Sequence, residues 1–196
     1  MLPLILEHMK NLGHVVFDHG DFDLNIFGIR CNLNYNAFDD LLGCAYLEDG
    51  HWKVEYWPAT TDPGHYHLEN PQNVKGTAIL VPGQYRGVWA LDLHRKQYTA
   101  LCQRNGPVRV YRDANRDTIL DLNSNEITEG FYGINIHKAG KVSTQVDRWS
   151  AGCQVFAREA DFQRLLKLCR TQIALRGWDK FTYTLIDKRD LNNLRF

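Results

Sequence analysis

The chain has no apolar run of about 18 residues, which excludes a membrane-spanning helix. Its opening apolar stretch, Met1 to Leu6, is broken at once by Glu7, His8 and Lys10, so no secretory signal is read there. Net charge is lacking too: 23 Lys and Arg offset 23 Asp and Glu, which argues against a strongly basic nucleic-acid binder. Cysteine is sparse and odd in number. Cys31, Cys44, Cys102, Cys153 and Cys169 include no C-x-x-C pair, so neither a disulfide framework nor a zinc knuckle is expected. Free thiols of this kind fit synthesis in a reducing cytosol, and most of them fit small core positions. No repeat, low-complexity tract or Pro/Ser-rich linker divides the chain.

What is present is enough for one domain with a real core: 196 residues, 44% of them apolar and 12% aromatic. Charge is graded along the chain. Residues 1–50 carry 2 basic and 8 acidic side chains, residues 51–136 carry 9 of each, and residues 137–196 carry 12 basic and 6 acidic. The basic last third is either a solvated face or a surface for an anionic partner.

The patterning predicts a mainly β domain with two or three helices, an α+β class. Leu4 to Leu12 reads as a short helix with Leu4, Ile5, Met9 and Leu12 on one side and Gly13 as its stop. Strands are expected at Leu24–Arg30, Lys53–Pro58, Thr77–Val81, Val88–Leu93 and Val108–Arg112, with turns at Asp49-Gly50, Asp62-Pro63-Gly64, Pro82-Gly83 and Asn105-Gly106-Pro107 between them. Gly133–His137 alternates as a further strand, with Ile134 and Ile136 on one face and Asn135 and His137 on the other. Phe162, Leu165, Leu166, Cys169 and Ile173 follow a helical period that Gly177 ends, and Phe181, Tyr183 and Leu185 form a last strand.

One constellation carries chemistry. A histidine, His137, ends the alternating strand on its polar face. Sixteen positions later Cys153 follows a small Ser150-Ala151-Gly152 turn. Nucleophilic cysteine chemistry needs a thiolate, a base and backbone N–H groups for an oxyanion. An adjacent imidazolium would depress the thiol pKa and make Cys153 alkylate fast at neutral pH. Spacing alone leaves a core cysteine as the rival reading.

The segment from His137 to Cys153 resembles the signature of the L,D-transpeptidase catalytic (YkuD-type) family, a histidine followed after a loop by Ser/Thr-His-Gly-Cys, one residue and Arg or Asn. His137, Ser150, Gly152 and Cys153 match it. The upstream stretch Pro58-Ala59-Thr60-Thr61-Asp62-Pro63-Gly64-His65-Tyr66 is similar to that family's strand, turn and aromatic segment. Ala151 replaces the family's second histidine and Val155 its Arg or Asn, which fits a divergent branch of the phage or prophage type. The resemblance implies a β-sandwich or barrel with a few helices, one of them C-terminal. It covers residues 50–187 as a catalytic core, with residues 1–50 as a family-specific addition to a single domain of residues 1–196.

The resemblance also implies an activity. Cys153 would attack the carbonyl of diaminopimelate in a peptidoglycan stem peptide. His137 would take the thiol proton, oriented by a backbone carbonyl or by Asn135. Ser150 would hold the turn, and the N–H groups of Gly152 and Cys153 would form the oxyanion hole. Arg148 is the candidate for a substrate carboxylate, with Trp149 as a pocket wall and His94 lining the groove. Water as acceptor gives a peptidase and an amine a transpeptidase. An endolysin made in the cytoplasm and acting at the cell wall or periplasm is the preferred biology, as a monomer that binds no nucleic acid and does not insert into a membrane. The alternatives are a toxin with the same chemistry, a cysteine peptidase or amidase on another substrate, and a non-catalytic wall-binding or virion structural module.

No cofactor is required by this chemistry. Asp113, Asn115, Asp117 and Asp121 space oxygens like the start of a calcium loop, but Thr118 stands where such a loop has Gly and Ser124 where it has Glu. The competing reading is a solvated turn. His65 and His67 flank Tyr66 at strand spacing, which would put both on one face, without an evident third metal ligand.

Overall fold

Eight strands close into a barrel in the computed structural model, which describes residues 1–31, 36–122 and 126–191. Ser124 of the calcium-like spacing lies outside the described residues. The elements run α1 (Leu4–Asn11), β1 (Asn25–Arg30), β2 (Asp40–Glu48), β3 (His51–Thr60), α2 (His65–Glu69), β4 (Thr77–Leu80), β5 (Gly83–His94), β6 (Tyr98–Gln103), β7 (Val108–Asp113), β8 (Thr128–Gly130), β9 (Ile136–Lys138), β10 (Gln154–Phe156), α3 (Glu159–Arg176) and β11 (Lys180–Asp187). The fold is mainly β, 41% strand and 19% helix, as the patterning predicts.

The barrel order is β1-β11-β5-β6-β9-β10-β3-β2, and β4-β7-β8 form a separate three-stranded sheet. β1 pairs with β11 in parallel and with β2 antiparallel, which closes the ring. Residues 25–48 therefore supply two of the eight staves. The main core fills the barrel and the space under α3, around Trp89, Tyr183, Phe156 and Phe162. α3 buries Phe162, Leu165, Leu166 and Cys169, carries Glu159 and Asp161 in its first turn, and ends at Gly177 with φ +68°, the left-handed cap that glycine adopts without Cβ strain.

α1 covers the outside of the barrel wall. It buries Ile5, Leu6 and Met9 against Phe27, Ile29, Ala45 and Ile186. The expected stripe is rotated: Leu4 and Leu12 are 52% and 40% exposed, whereas Leu6 is fully buried. The helix docks on the i, i+1, i+4 face that the wall offers, and each of the three buried side chains contributes about 1.5–3 kcal/mol by removal from water.

The second departure is at His65 and His67. They lie on α2, not on a strand, so a two-residue step carries them to different sides. His67 is buried, while His65 is half-buried.

Candidate functional site

Cys153 stands at the end of a turn clamped from three sides. Ser150 is buried, its Oγ donating to the Cys153 carbonyl at 2.8 Å and accepting the Gly152 N–H at 3.2 Å. Gly152 has φ +111°, and a Cβ there would sit 2.0 Å from the Ala78 carbonyl oxygen of β4. Only glycine fits that conformation and that approach. On the other side the Gly64 N–H donates to the Ser150 carbonyl at 3.0 Å, and a Cβ at Gly64 would meet the Asp147 carbonyl oxygen at 2.2 Å.

From below, the barrel interior holds the same turn. Gly28 leaves the space that the Tyr183 hydroxyl occupies. That hydroxyl donates to Gln154 Oε1 at 2.8 Å, and Gln154 Nε2 donates to the Gly152 and Thr61 carbonyls at 3.3 and 3.4 Å. Thr61 is fixed in turn by the buried Arg30, whose Nε and Nη2 donate to its Oγ1 and carbonyl, and by Asp40, which accepts from its N–H and hydroxyl. A buried polar network of this kind is rigid because each lost bond would leave a desolvated group unpaired.

The candidate base lies on the neighbouring strand. β9 and β10 are parallel, with Gln154 opposite Ile136 and Val155 opposite His137. Extending that register by one residue puts Cys153 beside Asn135, on the same face as His137 and one diagonal step from it. His137 Nδ1 lies 2.8 Å from the Lys138 carbonyl. A carbonyl only accepts, so Nδ1 carries the proton and Nε2 keeps the lone pair. The backbone carbonyl is thus the orienting group.

Asn135 acts elsewhere. Its Oδ1 accepts the Gln103 N–H at 2.9 Å, which turns its Nδ2 to His94 Nδ1 at 3.1 Å. His94 is buried and stacks on His137, with ring centroids 4.3 Å apart and planes 26° apart. Its buried place against His137 departs from the groove-lining position expected of it.

Burial sets the protonation states. His137 is 3% exposed, and desolvation, with the His94 ring and the Arg95 guanidinium, pushes its pKa down to about 3. Desolvation pushes the Cys153 thiol up to about 11, against the pull of the Asn135 N–H and of Arg95. The resting dyad is a neutral thiol and a neutral imidazole, not the depressed thiolate that an imidazolium neighbour would create. Cys153 Sγ instead donates to the Gly133 carbonyl at 3.5 Å. Of the two N–H groups expected for an oxyanion, that of Gly152 donates to Ser150 Oγ, and that of Cys153 has no hydrogen-bond partner among the described residues.

The remaining candidates lie apart. Arg148 stacks its guanidinium 3.9 Å over the Tyr66 ring. With the exposed Trp149, it lines an open cavity of about 560 Å³ next to His65 and Glu69. In the calcium-like stretch Asp113 Oδ2 accepts the Asp121 N–H, Asn115 Oδ1 that of Asp117, and Asp117 Oδ1 that of Ile119. Those oxygens cap the loop's own backbone, and no metal-ligating cluster forms among the described residues. A more apolar cavity of about 350 Å³, between Leu24, Trp178 and Phe181, contains none of the five cysteines.

Three residues of the site escape sequence reasoning. Gln103 accepts the N–H groups of Tyr132, Gly133 and Ile134 on one oxygen at 3.1, 2.9 and 3.1 Å, fixing the segment that presents the Gly133 carbonyl to the thiol. Arg95 follows His94 in the β5–β6 turn with φ +50°. Arg112 lines a cavity of about 310 Å³ beside Ala151. None belongs to a motif; Gln103 and Arg112 enter through strands whose partners are distant in sequence, and Arg95 through its hairpin turn. No protein-family model, curated protein or solved structure matches the chain.

Proposed function

We propose that this chain is a peptidoglycan-directed cysteine acyl-transfer enzyme of a divergent L,D-transpeptidase-like branch, acting on the bond after diaminopimelate in stem peptides. The observation that carries the reading is the β9–β10 register. It puts Cys153 and a histidine of fixed tautomer on one face of adjoining strands, with an unpaired N–H on the nucleophile itself.

The mechanism starts from the neutral pair. Sγ adds to the substrate carbonyl carbon as its proton passes to His137 Nε2, and the carbonyl π pair moves to oxygen, towards the Cys153 N–H. Collapse breaks the C–N bond, and the leaving amine takes the proton from Nε2. Water or an acceptor amine then adds to the thioester, gives its proton to Nε2, and expels Sγ, which recovers it. The Lys138 carbonyl stabilises the imidazolium that forms in each half-reaction. Action at the cell wall as a phage endolysin suits this chemistry, and a delivered toxin would use the same steps.

The second reading, a wall-binding or virion module that has lost catalysis, draws on the protonated resting thiol and on Ala151 and Val155. Purified protein and the Cys153→Ala variant, each incubated with diaminopimelate-type peptidoglycan and followed by mass spectrometry, separate the two. Loss or exchange of the residue after diaminopimelate is expected, reduced by at least ~10³-fold in the variant. Equal products from both proteins would sink the nucleophile assignment. A wall left unchanged by either would favour the binding module.

A further inference from the structure

The cavity beside Ala151 contains one charged residue. Its other lining side chains are Gln72, Asn73, Thr77, Phe131 and Tyr132. That residue, Arg112, is half-buried and held in place: Nε donates to Thr128 Oγ1 and Nη1 to the Gly76 carbonyl, each at 3.2 Å, and the guanidinium stacks 4.4 Å over the Tyr132 ring. Nη2 has no hydrogen-bond partner among the described residues. The guanidinium is fixed by two neutral acceptors and an aromatic face, with no carboxylate ion-paired to it among the described residues, and it borders both this cavity and a second one lined by Lys75 and Glu126, so its charge and its unpaired nitrogen are open to an anion.

The cavity also adjoins the chemistry. Ala151 is two residues from Cys153, and Tyr132 precedes Gly133, whose carbonyl accepts from the thiol. At position 151 only a methyl group borders the cavity. Arg148, the cation expected for this role, stands on Tyr66 in a different cavity.

We propose that the Arg112–Tyr132–Ala151 cleft is a carboxylate subsite, so that the acyl donor runs from Cys153 past Ala151 and places an anionic group on Arg112 several bonds from the scissile carbonyl. This deepens the acyl-transfer reading above and rests on it for the identity of the donor. In that reading the anion is a carboxylate of the stem peptide.

The test needs a reactive Cys153 but no wall substrate. Bromoacetyl derivatives of glycine, 4-aminobutyrate and 6-aminohexanoate place a carboxylate at graded distances from the sulfur, and their primary amides are the neutral controls. Rates at Cys153 are read by peptide mapping in the whole protein. Expected is a preference of at least tenfold for the acid over the amide at one chain length. It should vanish in Arg112→Gln, persist in part in Arg112→Lys and be unchanged in Arg148→Gln, with melting curves showing each variant folded. An acid preference at no length, one that survives Arg112→Gln, or a Cys153 that takes none of the reagents would overturn the proposal. A preference that follows Arg112 in a protein without action on peptidoglycan would sustain the anionic subsite and sink the wall reading.

Discussion

At Cys153 two effects oppose each other. Burial raises the thiol to about 11, while the Asn135 N–H and Arg95 favour the thiolate; burial wins because an N–H and an exposed guanidinium replace only part of the lost hydration. His137 gives no further help, since its pKa of about 3 leaves it uncharged at neutral pH. The sign of the pH dependence follows. Alkylation of Cys153 by iodoacetamide in the free protein tracks the thiolate fraction, so its rate should climb about tenfold per pH unit from 6 to 9, still short of the thiol pKa. A thiolate–imidazolium pair would instead plateau well below pH 7. Site-resolved mass spectrometry across that range distinguishes them, and a plateau would refute the neutral dyad. Catalysis by such a pair depends on proton transfer to His137 during attack, so the substrate, not the resting protein, has to complete the activation.

The Ser150–Cys153 turn is held by backbone fit, and one glycine tests that. Gly152→Ala combines a φ of +111° with a Cβ 2.0 Å from the Ala78 carbonyl, so β4 or the turn has to move. A cost of about 2–4 kcal/mol is expected, or roughly 5–15 °C in melting temperature, with loss of the Ser150 contacts. Gly13→Ala is the control: φ is +80° but a Cβ meets nothing within 4 Å, and the backbone conformation alone costs about 1–2 kcal/mol. Equal shifts for the two would mean that the close approach to β4 does not matter.

Elements of this kind were unevenly legible in the sequence. α3 follows a clean period because it presents one face to the barrel core, and β11 alternates in sequence from Phe181 to Leu185 although both of its faces are buried from Tyr183 onwards. β2 does not: six of its nine residues, Asp40 and Leu42–Tyr46, are buried. Side chains on one face pack into the barrel and those on the other lie under α1, so alternation disappears. β6 is hidden for the same reason, its last four residues being buried. The Ser150–Cys153 turn and His137 were readable as a motif. The thiol's protonation state was not, because it depends on desolvation in the fold and on Arg95 and Cys102, 58 and 51 positions away in the chain.

For the molecule as a whole the question is what residues 1–50 contribute. They hold β1 and β2, which close the ring between β11 and β3. Without them β11 and β3 become open edges with unpaired backbone groups, and Trp57, Tyr183 and Leu185 lose one wall of their core. A chain beginning at residue 51 should therefore lack a cooperative unfolding transition and near-ultraviolet dichroism, even though His137 and Cys153 both remain. Leu6→Ala separates this from the role of α1. Leu6 is fully buried against the outer wall, so its truncation should cost about 2–5 kcal/mol while the transition stays cooperative and Cys153 keeps its alkylation profile. A shortened chain that melts cooperatively would show residues 51–196 to be a self-sufficient core. Loss of the Cys153 profile in Leu6→Ala would instead tie the site to the helix on the far side of the barrel wall.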